Sequence, residues 1–190
     1  MPALVLASQS PRRRELLTTA GIPFTVRVAP VEEIPRPGEL PAEYVRRLAR
    51  AKAEAVWVEP GFTGADEIVL GADTTVVIDG RILEKPRDAD DARAMLRLLA
   101  GREHAVITGI CLRHSAGAIV DHALTSVRFS SMTDVEIAAY VASGEPMDKA
   151  GAYGIQGLAS KFVERIDGCY FNVMGLPLSL LYGHWKSLVT

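Results

Sequence analysis

Short apolar runs and helical patterns alternate along this chain, with hairpin signals mixed among them. That order restricts the fold to an α/β protein built on a mixed β-sheet, because helix-joined and turn-joined strands must share one layer. Residues 3–7 (ALVLA) read as a short buried strand, and 11–20 as a helix closed by Gly21. Residues 24–30 read as extended. Pro41 suits the first turn of a helix over about 42–56, with Tyr44, Leu48, Ala51 and Ala55 on one face. Residues 68–71 and 74–78 read as strand segments broken by Ala72 and Asp73. Asp79-Gly80 signals a tight hairpin to a return strand at 81–84, and 88–100 read as a helix with an acidic start.

Residues 104–113 and 117–130 alternate like paired strands, and Thr133-Asp134-Val135-Glu136 is a capping box opening a helix to about 142. Residues 144–160 read as a long glycine-rich loop with no obvious element to hold it, and such loops are usually functional. Residues 162–166 and 170–174 look like a hairpin around Asp167-Gly168, and a last helix covers about 177–188.

The length of 190 residues suits a single domain over 1–190, or one sheet with two lobes. A formal net charge of -2 argues against binding a nucleic-acid polymer, so any anion site has to come from a local cluster of positive charge. Cys111 and Cys169 lack CxxC spacing and read as reduced, buried thiols of a cytoplasmic protein. No stretch approaches the roughly 20 apolar residues of a membrane span, and the start carries no secretory pattern. No membrane partner is expected.

Three segments carry chemistry. In the first, Ser8-Gln9-Ser10-Pro11-Arg12-Arg13-Arg14, Ser10 is placed as N-cap and Pro11 as first helical residue. Three arginines then crowd a helix start whose free N–H groups already carry partial positive charge, an unfavourable arrangement unless an anion is present. Arg12 and Arg13 could hold phosphate oxygens bidentately, with Arg14 pointing outward. The plain alternative is a solvated basic turn. The second segment, residues 69–77 (VLGADTTVV), sets one acid in an apolar run. A carboxylate there needs a metal, a cation or several donors, and it could hold Mg²⁺ or orient a water for attack on phosphorus. It could also simply cap a turn. Lys85, ahead of Pro86, could pair with Asp73, neutralise a phosphate or lie on the surface. Glu32 and Glu33 sit in a loop, where one could be a second metal ligand or both simply solvated acids.

The third segment, residues 148–157 (DKAGAYGIQG), has three glycines that permit close backbone approach, with Lys149 able to meet a phosphate and Gln156 able to read a base edge. A structural turn with an incidental amide is the other reading. GxxxxGK[ST], GxGxxG and GxSxG are all missing, and His104, His114, His122 and His184 show no metal-ligand spacing.

LASQSPRRRELL (6–17), VLGADTTVV (69–77), LEKPRDADDARAMLRLLAG (83–101) and DKAGAYGIQG (148–157), in this order, resemble the Maf nucleotide pyrophosphatase family, also called septum formation inhibitors. The likeness runs from about residue 3 to 175–178. It implies an elongated mixed sheet flanked by helices in two lobes, with a central nucleotide cleft. It implies a metal-dependent cut of a nucleoside triphosphate between its α- and β-phosphates, with Mg²⁺ or Mn²⁺ as cofactor, and a homodimer.

The resemblance puts the proton acceptor on Asp73, with Glu33 and Asp73 as metal ligands. It puts specificity on Arg12, Thr74 and Gln156, and cleft positions on Ser8, Arg13, Lys52, Lys85 and Lys149. The wording GADT, EKP and AGAYGIQG is similar to the branch that prefers dTTP and UTP. The alternatives are the same chemistry on methylated GTP, or a nucleotide-binding regulator of septum formation.

Overall fold

A computed structural model describes residues 3–64 and 66–189. Strands β1 (Ala3–Leu6), β2 (Phe24–Val26), β3 (Glu67–Ile78), β4 (Arg81–Leu83), β5 (Glu103–His114), β6 (Gly117–Phe129) and β7 (Val163–Asp167) alternate with α1 (Pro11–Thr19), α2 (Pro41–Trp57), α3 (Ala89–Leu99), α4 (Asp134–Ala142), α5 (Tyr170–Val173) and α6 (Leu178–Val189). The strand order is β2-β1-β3-β5-β6-β7, with β4 on β3. β1 runs parallel to β2 and β3, whereas β4 and β7 pair antiparallel to β3 and β6. The α/β class and the mixed sheet are as the sequence predicts. Among the described residues no helix is long and apolar enough to cross a membrane.

The chain divides into two compact units. The first contains the residues as far as Asp73, then Thr108–Ala123 and those from Gly175 on; the second contains Thr74–Ile107 and Leu124–Met174.

In the first unit the sheet face built from Val5, Ala7, Val69 and Cys111 packs on Ala49, Ala53 and Val56 of α2. Two glycines set how close that helix comes. A Cβ on Gly71 of β3 would lie 2.0 Å from the Ala49 carbonyl oxygen, and one on Gly109 of β5 would lie 2.4 Å from that of Val45. No side chain fits at either position, so α2 rests its backbone directly on the sheet. The predicted face of α2 is partly corrected: Tyr44 and Leu48 are buried, but Ala51 and Ala55 are half-buried, and Val45, Ala49, Ala53 and Val56 complete the apolar stripe.

In the second unit α3 packs on α4, whose predicted capping box is present: Glu136 N–H donates to Thr133 Oγ1, and Thr133 N–H to the Glu136 carboxylate. Asp79 and Gly80, both with positive φ, form the predicted β3–β4 turn.

Three expectations fail. β3 is not broken at Ala72-Asp73 but continuous, since a side-chain charge does not interrupt the backbone ladder once it finds a partner. The 162–174 segment is not a hairpin: β7 pairs with β6 instead, and residues 170–173 form a helical turn. There the Thr125 hydroxyl donates to the Cys169 carbonyl, while the buried Asn172 amide donates to Val106 O and Thr125 Oγ1. Those bonds draw the chain out of strand geometry. The 144–160 segment is not an unheld loop; it is wound into short 3₁₀ turns at Glu145–Asp148 and Ala150–Ala152, packed against α3 and α4, with a third at Leu158–Phe162. Both cysteines are free thiols, but Cys169 is only half-buried, unlike Cys111, whose burial pushes its pKa up to about 12.

Candidate active site

Asp73 sits on β3 two residues beyond Gly71, and Lys52 sits on α2 three residues beyond Ala49. The close approach enforced at Gly71 therefore delivers the lysine to the acid. Lys52 Nζ lies 2.7 Å from Asp73 Oδ1 and 2.7 Å from Glu33 Oε1, bridging the two carboxylates. The Asp73 side chain is 9% exposed and that of Glu33 46% exposed, so one acid is set in the protein and the other reaches in from the surface loop. Tyr44 steadies that loop, its hydroxyl donating to the Glu33 carbonyl at 3.3 Å.

Burial raises the Asp73 pKa above the ordinary value; the charge and hydrogen bond of Lys52 and the charge of Arg13 oppose it, and Glu33 adds to it. Such a carboxyl is more basic than one in water, while Lys52 beside it favours its ionised form.

The basic segment folds as predicted at its start. Ser10 is the N-cap, its Oγ accepting from Arg13 N–H at 3.5 Å, and Pro11 is the first helical residue. No acid occupies the first turn. Arg13 is buried rather than solvated: Nη1 donates to Ser8 Oγ at 2.9 Å and Nε to the Gly175 carbonyl at 2.8 Å. Ser8 Oγ also accepts from Ser10 N–H at 3.2 Å. Burial lowers the Arg13 pKa, opposed chiefly by Asp73, and an arginine remains charged even so. Arg12 is half-buried beside it and Arg14 is exposed, as its outward placement requires.

Ser8 is bonded to Arg13, and Lys52 to Glu33 and Asp73, within the first unit; Arg13 lies close enough for its charge to act on Asp73, and Arg12 sits at the same helix start. The lysine found against Asp73 is Lys52, which spacing alone did not single out. Its signal was a cation four residues after Leu48, on the apolar stripe of α2.

Thr74, Lys85, Lys149 and Gln156 belong to the second unit. Thr74 is half-buried on β3, Lys85 exposed after β4, and Gln156 exposed between Ile155 and Gly157. Lys149 Nζ donates to the Glu145 carbonyl at 2.6 Å and pairs with Asp148 at 2.6 Å. Glu145 and Tyr140 carry no local sequence signal, and His104 is a buried histidine. His104 bonds Tyr153 through Nε2 at 2.8 Å, and burial lowers its pKa to about 4. Among the described residues no three or more of His, Cys, Asp and Glu gather as a metal cluster.

An acid held by a lysine and an arginine-rich helix start lie in the same unit of an α/β protein, groups whose chemistry suits a phosphate anion. The chain belongs to the Maf family, whose sequence model, described as "Maf-like protein", matches residues 3–188. It is 53% identical over 182 residues to a dTTP/UTP pyrophosphatase of Anaeromyxobacter dehalogenans (strain 2CP-C), covering 94% of this chain and 90% of that one. It is 53% identical over 175 residues to a dTTP/UTP pyrophosphatase of Hahella chejuensis (92% and 87% covered). It is 50% identical over 187 residues to one of Chlorobaculum parvum (97% and 94% covered).

Proposed function

We infer that this protein is a nucleoside-triphosphate pyrophosphatase that hydrolyses dTTP and UTP to the monophosphate and pyrophosphate. The observation that carries the reading is the buried Asp73, raised in basicity yet held by Lys52, beside Arg13 and a helix start without an acid. The names borne by relatives sharing half of its residues supply the substrate.

In this reading Asp73 takes the proton of a water that attacks phosphorus, and the bond to the departing pyrophosphate breaks. Arg12, Arg13 and the N–H groups of α1 bind phosphate oxygens, with Ser8 fixing the Arg13 guanidinium. Lys52 keeps Asp73 ionised until the proton arrives. Lys85 and Lys149 offset charge on the phosphates, and Thr74 and Gln156 select the base.

The donor set also suits a divalent ion. Asp73 and Glu33 already share one cation, and Mg²⁺ or Mn²⁺ is commonly held by one or two carboxylates with the remaining positions left to phosphate and water. An ion bound there would offset the charge of the triphosphate. Both units act as one functional domain, and the protein works in the cytoplasm as a homodimer.

A panel of nucleotides with pyrophosphate release as the readout tests this reading. dTTP and UTP are expected to be the best substrates. Methylated GTP turned over far better would overturn the base assignment, and no turnover of any nucleotide would overturn the enzyme.

A further inference from the structure

The segment carrying Lys149 and Gln156 is built around a single carboxylate. Glu145 Oε1 accepts from the Tyr140 hydroxyl at 2.9 Å, and Oε2 accepts from Leu158 N–H at 2.9 Å. The same Tyr140 oxygen accepts from Gly154 N–H at 3.2 Å. Gly157 packs flat on the carboxylate, since a Cβ there would lie 2.1 Å from Oε1 and 2.5 Å from Oε2. The Glu145 backbone carbonyl accepts from Lys149 Nζ at 2.6 Å. Gly154, Gly157 and Leu158 all flank Gln156, and all three are tied to Glu145 directly or through Tyr140. Tyr140 is itself buried on α4, with its pKa raised by desolvation, so its hydroxyl stays a neutral donor.

We propose that Glu145 is a positioning residue for base recognition: its carboxylate, anchored through Tyr140 to α4, fixes the backbone on both sides of Gln156 so that the exposed amide meets the base at one distance and angle. The inference rests on the pyrophosphatase reading above and on the role assigned there to Gln156. Glu145 acts only through other groups. A side-chain amide held by flexible glycine-rich backbone would lose its paired hydrogen bonds to the base, whereas one held by a carboxylate bonded on both flanks retains them.

The test compares kcat/KM for dTTP with that for dCTP, which presents an amine where dTTP presents a carbonyl. In Glu145→Ala the dTTP/dCTP ratio is expected to fall about ten-fold, mainly through KM for dTTP, the scale of one lost neutral hydrogen bond between the Gln156 amide and the base. Glu145→Gln should rescue it to within about three-fold, because its amide oxygen can face Leu158 N–H while its NH₂ faces the Tyr140 oxygen. In a Gln156→Ala background, Glu145→Ala should leave the ratio unchanged, the non-additivity of two residues acting on one contact.

A ratio that survives Glu145→Ala, or that falls additively in the double variant, overturns the inference, as does a Gln156→Ala enzyme as selective as the wild type. Should Glu145→Ala not fold, Tyr140→Phe removes the hydroxyl but keeps the ring; it is expected to lower the ratio in the same direction, and an unchanged ratio there overturns the inference too. A wild-type protein that cleaves no dTTP sinks the pyrophosphatase reading itself, which separates that failure from failure of the inference alone.

Discussion

The two units solve the problem of buried polarity in opposite ways. In the first, charge is kept and matched: Lys52 bridges Asp73 and Glu33, and the charges of these acids act on the buried Arg13. In the second, the buried polar groups are held neutral. His104 is pushed down to about 4, and desolvation raises Tyr140 and Tyr153 above their ordinary range. The difference teaches where each kind of work belongs. A cluster of matched charges can be reorganised by an incoming triphosphate, which suits bond breaking. Neutral rings and hydroxyls, with Tyr140 bonded to the one carboxylate of Glu145, resist reorganisation, which suits holding a recognition segment still.

Asp73→Asn should have the largest effect. The amide oxygen can still accept from Lys52, so the centre keeps its shape but loses its proton acceptor. Pyrophosphate release is expected to drop about a thousand-fold, within the range for a lost general base, while calorimetry shows nucleotide binding retained. Turnover like that of the wild type would end the catalytic assignment.

Glycine substitutions separate the units by what the new methyl group meets. In Gly71→Ala it meets the Ala49 backbone carbonyl at 2.0 Å, which cannot yield without moving α2. A cost of about 3 kcal/mol in denaturant unfolding is expected, the upper part of the usual overpacking range, together with lost activity because Lys52 moves with the helix. In Gly157→Ala the methyl group meets the end of the Glu145 side chain at 2.1 Å, which can swing aside. The cost there should be about 1 kcal/mol, with base selectivity changed more than kcat. Equal costs at the two sites would show that helix seating and segment seating are equally rigid.

Much of this division was legible in the sequence. The Ser10-Pro11 helix start, the capping box at Thr133, the Asp79-Gly80 turn and the alternation at 104–130 are local signals, and local signals survive folding. The misreadings came from tertiary partners. Asp73 seemed to interrupt β3 because its partner lies 21 residues away on α2. Residues 170–174 read locally as a strand, because the bonds of Asn172 that hold 170–173 as a helical turn reach across 66 and 47 residues to Val106 and Thr125. Lys52 was legible through the family resemblance and not through spacing, because a lysine on a helix is normally solvated and only the apolar residues around its helical position mark it as turned inward.

In the second unit His104 makes neutrality visible through pH. Its pKa of about 4 in the folded protein lies below the ordinary 6.5, with burial as the cause. Above pH 6.5 it is neutral folded and unfolded, and contributes nothing pH-dependent. As pH falls from 6.5 toward 4, the unfolded chain takes up the proton first, so stability is lost across that window. The loss between pH 7 and 4.5 should be about 2 kcal/mol from this group. Chemical denaturation of His104→Phe at the two pH values should show a pH dependence smaller by that amount. An unchanged dependence would mean that His104 is not held neutral.

The smallest expected effects come from the two helix starts. α4 opens with Asp134 and Glu136, the charges a helix N-terminus favours, whereas α1 opens with Arg12, Arg13 and Arg14. If the arginines are tolerated because a phosphate completes the site, the inner and outer ones should respond differently to an acid. Arg14→Glu, on the exposed side, should stabilise the free protein by about 0.3–0.5 kcal/mol, the usual worth of an acid in a first turn, and leave nucleotide affinity within about three-fold. Arg12→Glu should lower that affinity at least ten-fold, since an acid there repels the phosphate that the N–H groups attract. The reverse exchange in the second unit, Asp134→Arg, also removes a surface pair with Arg97 at 2.7 Å. It should cost a few tenths of a kcal/mol and leave pyrophosphate release untouched. Were Arg12→Glu as harmless to binding as Arg14→Glu, the helix start of the first unit would be a decorated surface, and the anion would have to be held by Lys52 and the buried Arg13 alone.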